Sequence, residues 1–109
     1  MRVAISTDGG YVSHHFERCP HFTIIDIGSR NVIRKKMVAN PGCSPEFISR
    51  FLYENGVDLI VVDRMGMYAT EFSGELGIKS IVGTSGRIDE VIGRLLEGNL
   101  KESLQWQSR

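Results

Sequence analysis

The apolar positions of the chain recur with two different periods, which separate strand-like from helix-like segments. Alternating or continuous apolar residues, many of them β-branched, predict strands at residues 2–7, 21–27, 32–39, 57–62 and 78–82. Apolar residues at steps of three and four positions predict helices with one buried face at residues 45–54, 67–76 and 87–97. The segment from Tyr11 to Pro20 has neither period and is predicted to be a loop.

Capping residues mark the ends of the predicted helices. Ser44 directly precedes Pro45, which is the arrangement of an N-cap serine followed by a proline in the first turn. Gly56, Gly77 and Gly98 each follow the last apolar position of a helical pattern, where a left-handed residue commonly ends a helix.

The order of the elements is β, β, β, α, β, α, β, α, which predicts one α/β domain with helices packed on a mixed sheet. In such sheets ligands bind beyond the carboxyl ends of the parallel strands. We therefore expect three connections, at residues 8–19, 63–67 and 83–86, to meet there. The domain is predicted to span residues 1–109, with a core to about residue 100 and a short tail carrying Leu100, Leu104 and Trp106.

Composition and charge narrow the classes of function. The 109 residues include 13 Lys or Arg and 13 Asp or Glu, so the formal net charge is zero and nonspecific nucleic-acid binding is not expected. No apolar run is long enough to cross a membrane and no export signal precedes the first strand, which predicts a cytoplasmic protein without a membrane partner. Cys19 and Cys43 are expected to be free thiols, although their spacing leaves a disulfide open.

Soft metal-ligating side chains are concentrated in the first two connections. His14, His15 and Cys19 lie in the first, and Met65 and Met67 lie in the second. Imidazole, thiolate and thioether are the donors that transition metals and iron–sulfur species accept. Surface histidines with a buried cysteine, and methionines that fill the core, remain the structural alternatives.

A second candidate is an anion site at the start of the last helix. Ser85-Gly86 offers backbone N–H groups at the positive end of the helix dipole, with Arg87 adjacent. The same glycine also suits a tight strand-to-helix connection, and the sequence leaves both interpretations open.

The carboxylates suggest an enzymatic alternative. Asp8 and Asp63 follow predicted strands and Asp26 lies within one, so two of them could converge on a divalent cation for phosphoryl hydrolysis, with Asp8 and Asp63 as the leading pair. Aspartates at these positions also cap turns. No nucleophile elbow, phosphate-binding loop or dinucleotide fingerprint is present, so acyl transfer, nucleotide hydrolysis and hydride transfer have no support.

The chain also resembles a known protein family from Arg2 to about Leu100. The resemblance lies in the order and spacing of Asp8-Gly9-Gly10, His15-Phe16, Cys19-Pro20, Phe22, Gly77-Ile78-Lys79, Gly83, Gly86, Ile92 and Gly98-Asn99-Leu100. The family is that of dinitrogenase iron–molybdenum cofactor biosynthesis, which includes small NifX-type carriers and the C-terminal part of NifB.

The resemblance implies a ribonuclease-H-like α/β fold and non-catalytic binding of an iron–sulfur or iron–molybdenum cluster, or its precursor. It implies His15 as the first ligand, since His15 matches the histidine of the family's His-Phe-Gly stretch, followed by Cys19 and His14. Arg64 and Arg87 are the expected charge partners of the anionic cluster. We thus expect a carrier that meets a cluster donor or acceptor protein and is not an enzyme; a regulatory or protein-interaction module without a cluster is the alternative.

Overall fold

The computed structural model describes residues 1–98, which form one mixed sheet and three helices. The elements, in chain order, are β1 (Arg2–Asp8), β2 (Tyr11–Val12), β3 (His21–Ile27), β4 (Val32–Ala39), α1 (Pro45–Glu54), β5 (Leu59–Val61), α2 (Met67–Glu75), β6 (Lys79–Ile81) and α3 (Ile88–Glu97). The predicted tail, with Leu100, Leu104 and Trp106, lies outside the described residues.

The strands form a sheet in the order β4-β3-β1-β5-β6, with β2 paired to β1. β1, β5 and β6 run parallel, and β3 runs antiparallel to both of its neighbours, β1 and β4. The parallel strands are joined through helices, as crossover connections require. The predicted α/β class with a mixed, ribonuclease-H-like sheet is therefore confirmed.

Side chains of the central strand β1 point alternately to the two faces of the sheet, so the core has two layers. Ala4 faces a cluster that includes Ile48 and Leu52 of α1, together with Ala69 of α2. Its neighbours in β1 face the opposite side, where they pack with Val91 and the rest of the apolar stripe of α3. Burial on both faces explains why the central strands are almost entirely apolar. None of the helices within residues 1–98 is long and apolar enough to cross a membrane.

The helix ends follow the predicted capping residues. The Oγ of Ser44 accepts a hydrogen bond from the Phe47 N–H at 3.1 Å, and Pro45 occupies the first turn of α1. Gly98 ends α3 in the left-handed conformation, with φ of 80°. These local signals are confirmed because they depend on neighbouring residues only.

The prediction that residues 11–20 are entirely loop is wrong at their start. Tyr11 and Val12 form β2, which pairs with Asp8 and Thr7 of β1 through a tight turn. Gly9 takes a φ of 63° in that turn, which glycine adopts without steric cost. A strand of two residues is too short to show a period, so the hydrophobic pattern does not reveal it.

Candidate functional site

The first two connections meet at the carboxyl end of the central strands, as predicted. The Arg64 N–H donates to the His14 carbonyl at 3.0 Å, and the Phe16 N–H donates to the Arg64 carbonyl at 3.2 Å. These bonds place His15 and Arg64 side by side in a short parallel bridge. Residues nearly fifty positions apart in the chain thus lie next to each other at this edge of the sheet.

The third connection joins the same edge through backbone hydrogen bonds. The Gly83 N–H donates to the Asp63 carbonyl at 2.7 Å, and the Val12 N–H donates to the Gly86 carbonyl at 2.9 Å. The predicted meeting of the three connections is therefore confirmed.

A pocket of about 440 Å³ opens where the first connection meets the second. Its walls are formed by His15, Phe16, Glu17, Arg18, Arg64, Met65 and Gly66. Residues from both connections contribute, and the parallel bridge between them forms part of the pocket wall.

Phe16 anchors the wall that carries His15. Its side chain is only 2% exposed, and its ring lies 5.7 Å from the ring of Phe22 in the core. The residues on either side, His15 and Glu17, are exposed. A buried aromatic ring between two exposed polar residues therefore holds this short segment against the sheet.

The pocket combines soft donors with positive charge. His15 supplies an imidazole and Met65 a thioether, both of which bind soft transition metals. Arg18 and Arg64 supply guanidinium groups, which bind anions through charge-assisted hydrogen bonds, and Glu17 is the acidic residue of the wall. Such a pocket suits a metal species that carries negative charge.

Cys19 lies behind the pocket wall. Its side chain is 2% exposed, and its Sγ lies 3.5 Å from the Phe16 carbonyl, to which it donates. Burial raises the pKa of the Cys19 thiol, which disfavours the thiolate that binds metals. The structure does not bring Cys19 into the pocket with His15, and its predicted role as a ligand stays a prediction.

Asn40 holds the pocket segment in place and was not among the predicted site residues. Its Nδ2 donates to the Cys19 carbonyl at 2.9 Å and to the Glu17 carbonyl at 3.2 Å. Its Oδ1 accepts from the Gly42 N–H at 2.9 Å, which fixes the turn after β4. The turn cluster Asn40-Pro41-Gly42 is visible in the sequence, but its contact with the distant first connection is not.

His14 is not among the residues that line the pocket, and its side chain contacts the second connection. Its Nδ1 lies 2.8 Å from Oδ2 of Asp63, while 77% of the His14 side chain is exposed. The contact links the residue before His15 to the residue before Arg64, so His14 supports the bridge. Its predicted role as a ligand stays a prediction.

Ser85, Gly86 and Arg87 lie outside the residues that line the pocket. The Ser85 carbonyl accepts from the Arg94 side chain at 3.0 Å, and the guanidinium of Arg87 lies 5.8 Å from the centre of the Tyr11 ring. The first contact joins α3 to the connection that precedes it, and the second joins the start of α3 to β2. The structure does not bring this predicted anion site together with His15.

The carboxylates named for a hydrolytic site have different surroundings. Asp26 pairs with Arg2 at 2.6 Å, at the end of β1 opposite the pocket, so of the three aspartates only Asp8 and Asp63, the leading pair, lie at the carboxyl end of the strands. Asp63 bonds to His14, and Asp8 is exposed at the end of β1. Among residues 1–98, no three His, Cys, Asp or Glu side chains are grouped so that they could hold a metal ion.

The two methionines of the second connection differ in their surroundings. Met65 lines the pocket and also packs against the core of the α1 and α2 layer, so its predicted core packing is confirmed and its role as a ligand stays a prediction. Met67 is 77% exposed at the start of α2, where it neither fills the core nor lines the pocket.

Comparison with known proteins extends these observations. The model of the family described as dinitrogenase iron-molybdenum cofactor matches residues 1–98. An uncharacterized protein of Methanocaldococcus jannaschii is 31% identical, over 94% of this chain and 91% of its own.

Solved structures share the fold. The crystal structure of PH0822 superposes with a TM-score of 0.84 at 33% identity, covering 90% of this chain and 92% of that one. The apo form of the orange protein from Desulfovibrio gigas superposes with a TM-score of 0.78 at 20% identity, over 89% of this chain and 88% of that one, which shows a common fold.

Proposed function

This chain belongs to the dinitrogenase iron-molybdenum cofactor family, and on that premise we propose that it is a non-catalytic carrier of a metal–sulfur cluster. The cargo is an iron–sulfur or iron–molybdenum type cluster, or its precursor, and the partner is a protein that donates or accepts it. The observation that carries the proposal is the pocket in which His15 and Met65 lie with two arginines.

The chemistry of the pocket matches the chemistry of such a cargo. Metal–sulfur clusters are anionic and rich in sulfide, so guanidinium groups stabilise them and imidazole can ligate their metal. Backbone hydrogen bonds hold Arg64 and His15 next to each other. The guanidinium group and the imidazole can therefore bind the same cluster.

The openness of the site supports a transient carrier. His15 is exposed, and the cysteine of the same segment is buried behind the wall. A single imidazole ligand with surrounding cations holds a cluster less firmly than the four cysteine thiolates typical of resident iron–sulfur clusters. A weakly ligated cargo can be passed on to another protein.

The test is anaerobic reconstitution with ferrous iron and sulfide, followed by visible absorption and metal analysis. The variants are His15→Ala and, as a matched control, His21→Ala, which removes an exposed imidazole at the start of β3, outside the pocket. We expect the wild-type protein and His21→Ala to retain iron and sulfide, and His15→Ala to lose at least about tenfold in affinity.

Cys19→Ala adds a further comparison. If the imidazole alone ligates the cluster, Cys19→Ala keeps the iron that His15→Ala loses. A wild-type protein that binds no iron, or binding that is indifferent to His15→Ala, contradicts the proposed carrier site.

A further inference from the structure

Glu17 places a negative charge in the wall of a pocket that otherwise attracts anions. We propose that Glu17 gives the pocket charge selection: its carboxylate weakens the binding of highly charged sulfur-rich metal anions more than the binding of singly charged ones. This inference rests on the proposed function and specifies the class of cargo that the site takes.

The backbone of Glu17 is fixed relative to the pocket. The preceding ring, Phe16, is buried in the core, and the Glu17 carbonyl accepts a hydrogen bond from Asn40 at 3.2 Å. Glu17 is exposed and is one of the residues that line the pocket. Its carboxylate is therefore close enough to act electrostatically on an anion bound there.

Glu17 forms no direct ion pair with a neighbour within residues 1–98, and the guanidinium groups of Arg18 and Arg64 form none with a carboxylate either. The wall thus carries two positive charges and one independent negative charge. An anion in the pocket experiences attraction from the arginines and repulsion from Glu17 at the same time.

The repulsion grows with the charge of the ligand, and this distinguishes selection from a general loss of affinity. Two unit charges about 6 Å apart in a water-like dielectric change a binding constant by about threefold. A dianion experiences the penalty twice, so its binding constant changes by about tenfold. Removing the carboxylate should therefore favour a dianion over a monoanion of the same shape.

Tetrathiorhenate and tetrathiomolybdate provide such a pair of probes. Both are tetrahedral anions with four sulfides around a metal without d electrons, and the first is a monoanion whereas the second is a dianion. Binding of each is measured by anaerobic equilibrium dialysis with metal analysis at low ionic strength, for the wild-type protein, for Glu17→Gln and for Glu71→Gln. Glu71 is an exposed residue of α2 outside the pocket, so its substitution changes the net charge equally.

We expect Glu17→Gln to tighten the binding of tetrathiorhenate about threefold and that of tetrathiomolybdate about tenfold. Glu71→Gln should change both by much less, and added salt should reduce the difference between the two probes. If Glu17→Gln binds both anions but shifts them by the same factor, or by none, charge selection is overturned and the carrier proposal stands. If neither anion binds to the wild-type protein or to Glu17→Gln, charge selection is overturned, and reconstitution with iron and sulfide decides the carrier proposal separately.

Discussion

The Nδ1 atom of His14 lies 2.8 Å from the Oδ2 atom of Asp63, and this contact joins the two connections that form the pocket. The next residue of each connection, His15 in one and Arg64 in the other, lines the pocket. The contact is therefore a support for the site rather than a part of its lining.

Removing the imidazole in His14→Ala should loosen the bridge while leaving the fold intact. The side chain of His14 is 77% exposed, and exposed polar or charged pairs stabilise proteins by less than about 1 kcal/mol, so the free energy of unfolding should change little. The amide hydrogens of Phe16 and Arg64, which form the bridge, should exchange several-fold faster. Hydrogen exchange with His21→Ala as the control measures this, and unchanged exchange at both amides would contradict the supporting role.

A buried hydrogen bond joins the two helices on one face of the sheet. The Oγ atoms of Ser49 in α1 and Ser73 in α2 lie 2.7 Å apart, and both residues are fully buried. Ser49→Ala alone leaves the hydroxyl of Ser73 without this partner, which should reduce the free energy of unfolding by about 1–3 kcal/mol. The double variant Ser49→Ala/Ser73→Ala should cost less than the sum of the two single variants, because no buried hydroxyl is then left unpaired. Chemical denaturation of the wild-type protein, the two single variants and the double variant gives the four free energies of unfolding. If the losses of the single variants add up to that of the double variant, the two hydroxyls do not stabilise the protein as a pair.

The two thiols of the chain should differ strongly in reactivity. Cys43 is exposed, whereas Cys19 is buried and the pKa of its thiol is raised, chiefly by burial. Because thiol reagents attack the thiolate, one thiol per chain should react rapidly in the native protein and the second only on unfolding. Cys43→Ser should abolish the rapid phase with a chromogenic disulfide reagent at mildly alkaline pH. Equal rates for the two thiols would show that Cys19 is accessible.

The pair formed by Arg2 and Asp26 should contribute to the acid dependence of stability. The hydrogen bond from Arg2 lowers the pKa of Asp26 below its ordinary value, so the folded protein binds a proton less readily than the unfolded chain. This contribution is present above the unfolded-state pKa of about 4 and is lost as the pH falls through the lower folded-state pKa. Unfolding free energies measured from pH 6 to pH 2.5 should fall less steeply for Asp26→Asn than for the wild-type protein. If the free energies of unfolding of the two proteins change in parallel with pH, Asp26 does not contribute to the acid dependence of stability.

Local signals predicted most of the fold. The bounds of β3 and β4 coincide with the predicted strands, and α1 begins at the proline that follows its capping serine. The short strand β2 could not be predicted, because its two residues are held by pairing with the end of β1 rather than by a pattern of their own.

The candidate site was predicted in part. His15 and Arg64 were both named, and the structure places them side by side. Cys19, only four residues after His15, faces the core instead, and Arg87 lies against Tyr11 away from the pocket. The direction of a side chain in a loop depends on which of its neighbours is buried, and no periodic pattern records that choice.

The sequence by itself determined the strands and helices, the α/β class and the concentration of imidazole, thiol and thioether groups in two connections. Those properties follow from the period of apolar residues and from capping, which act within a few positions of the chain. Only the tertiary structure decided that His15, Glu17 and Arg64 share one pocket. The physical reason is that burial of Phe16 and the hydrogen bonds between distant connections orient these groups, and both arise only when the sheet has formed.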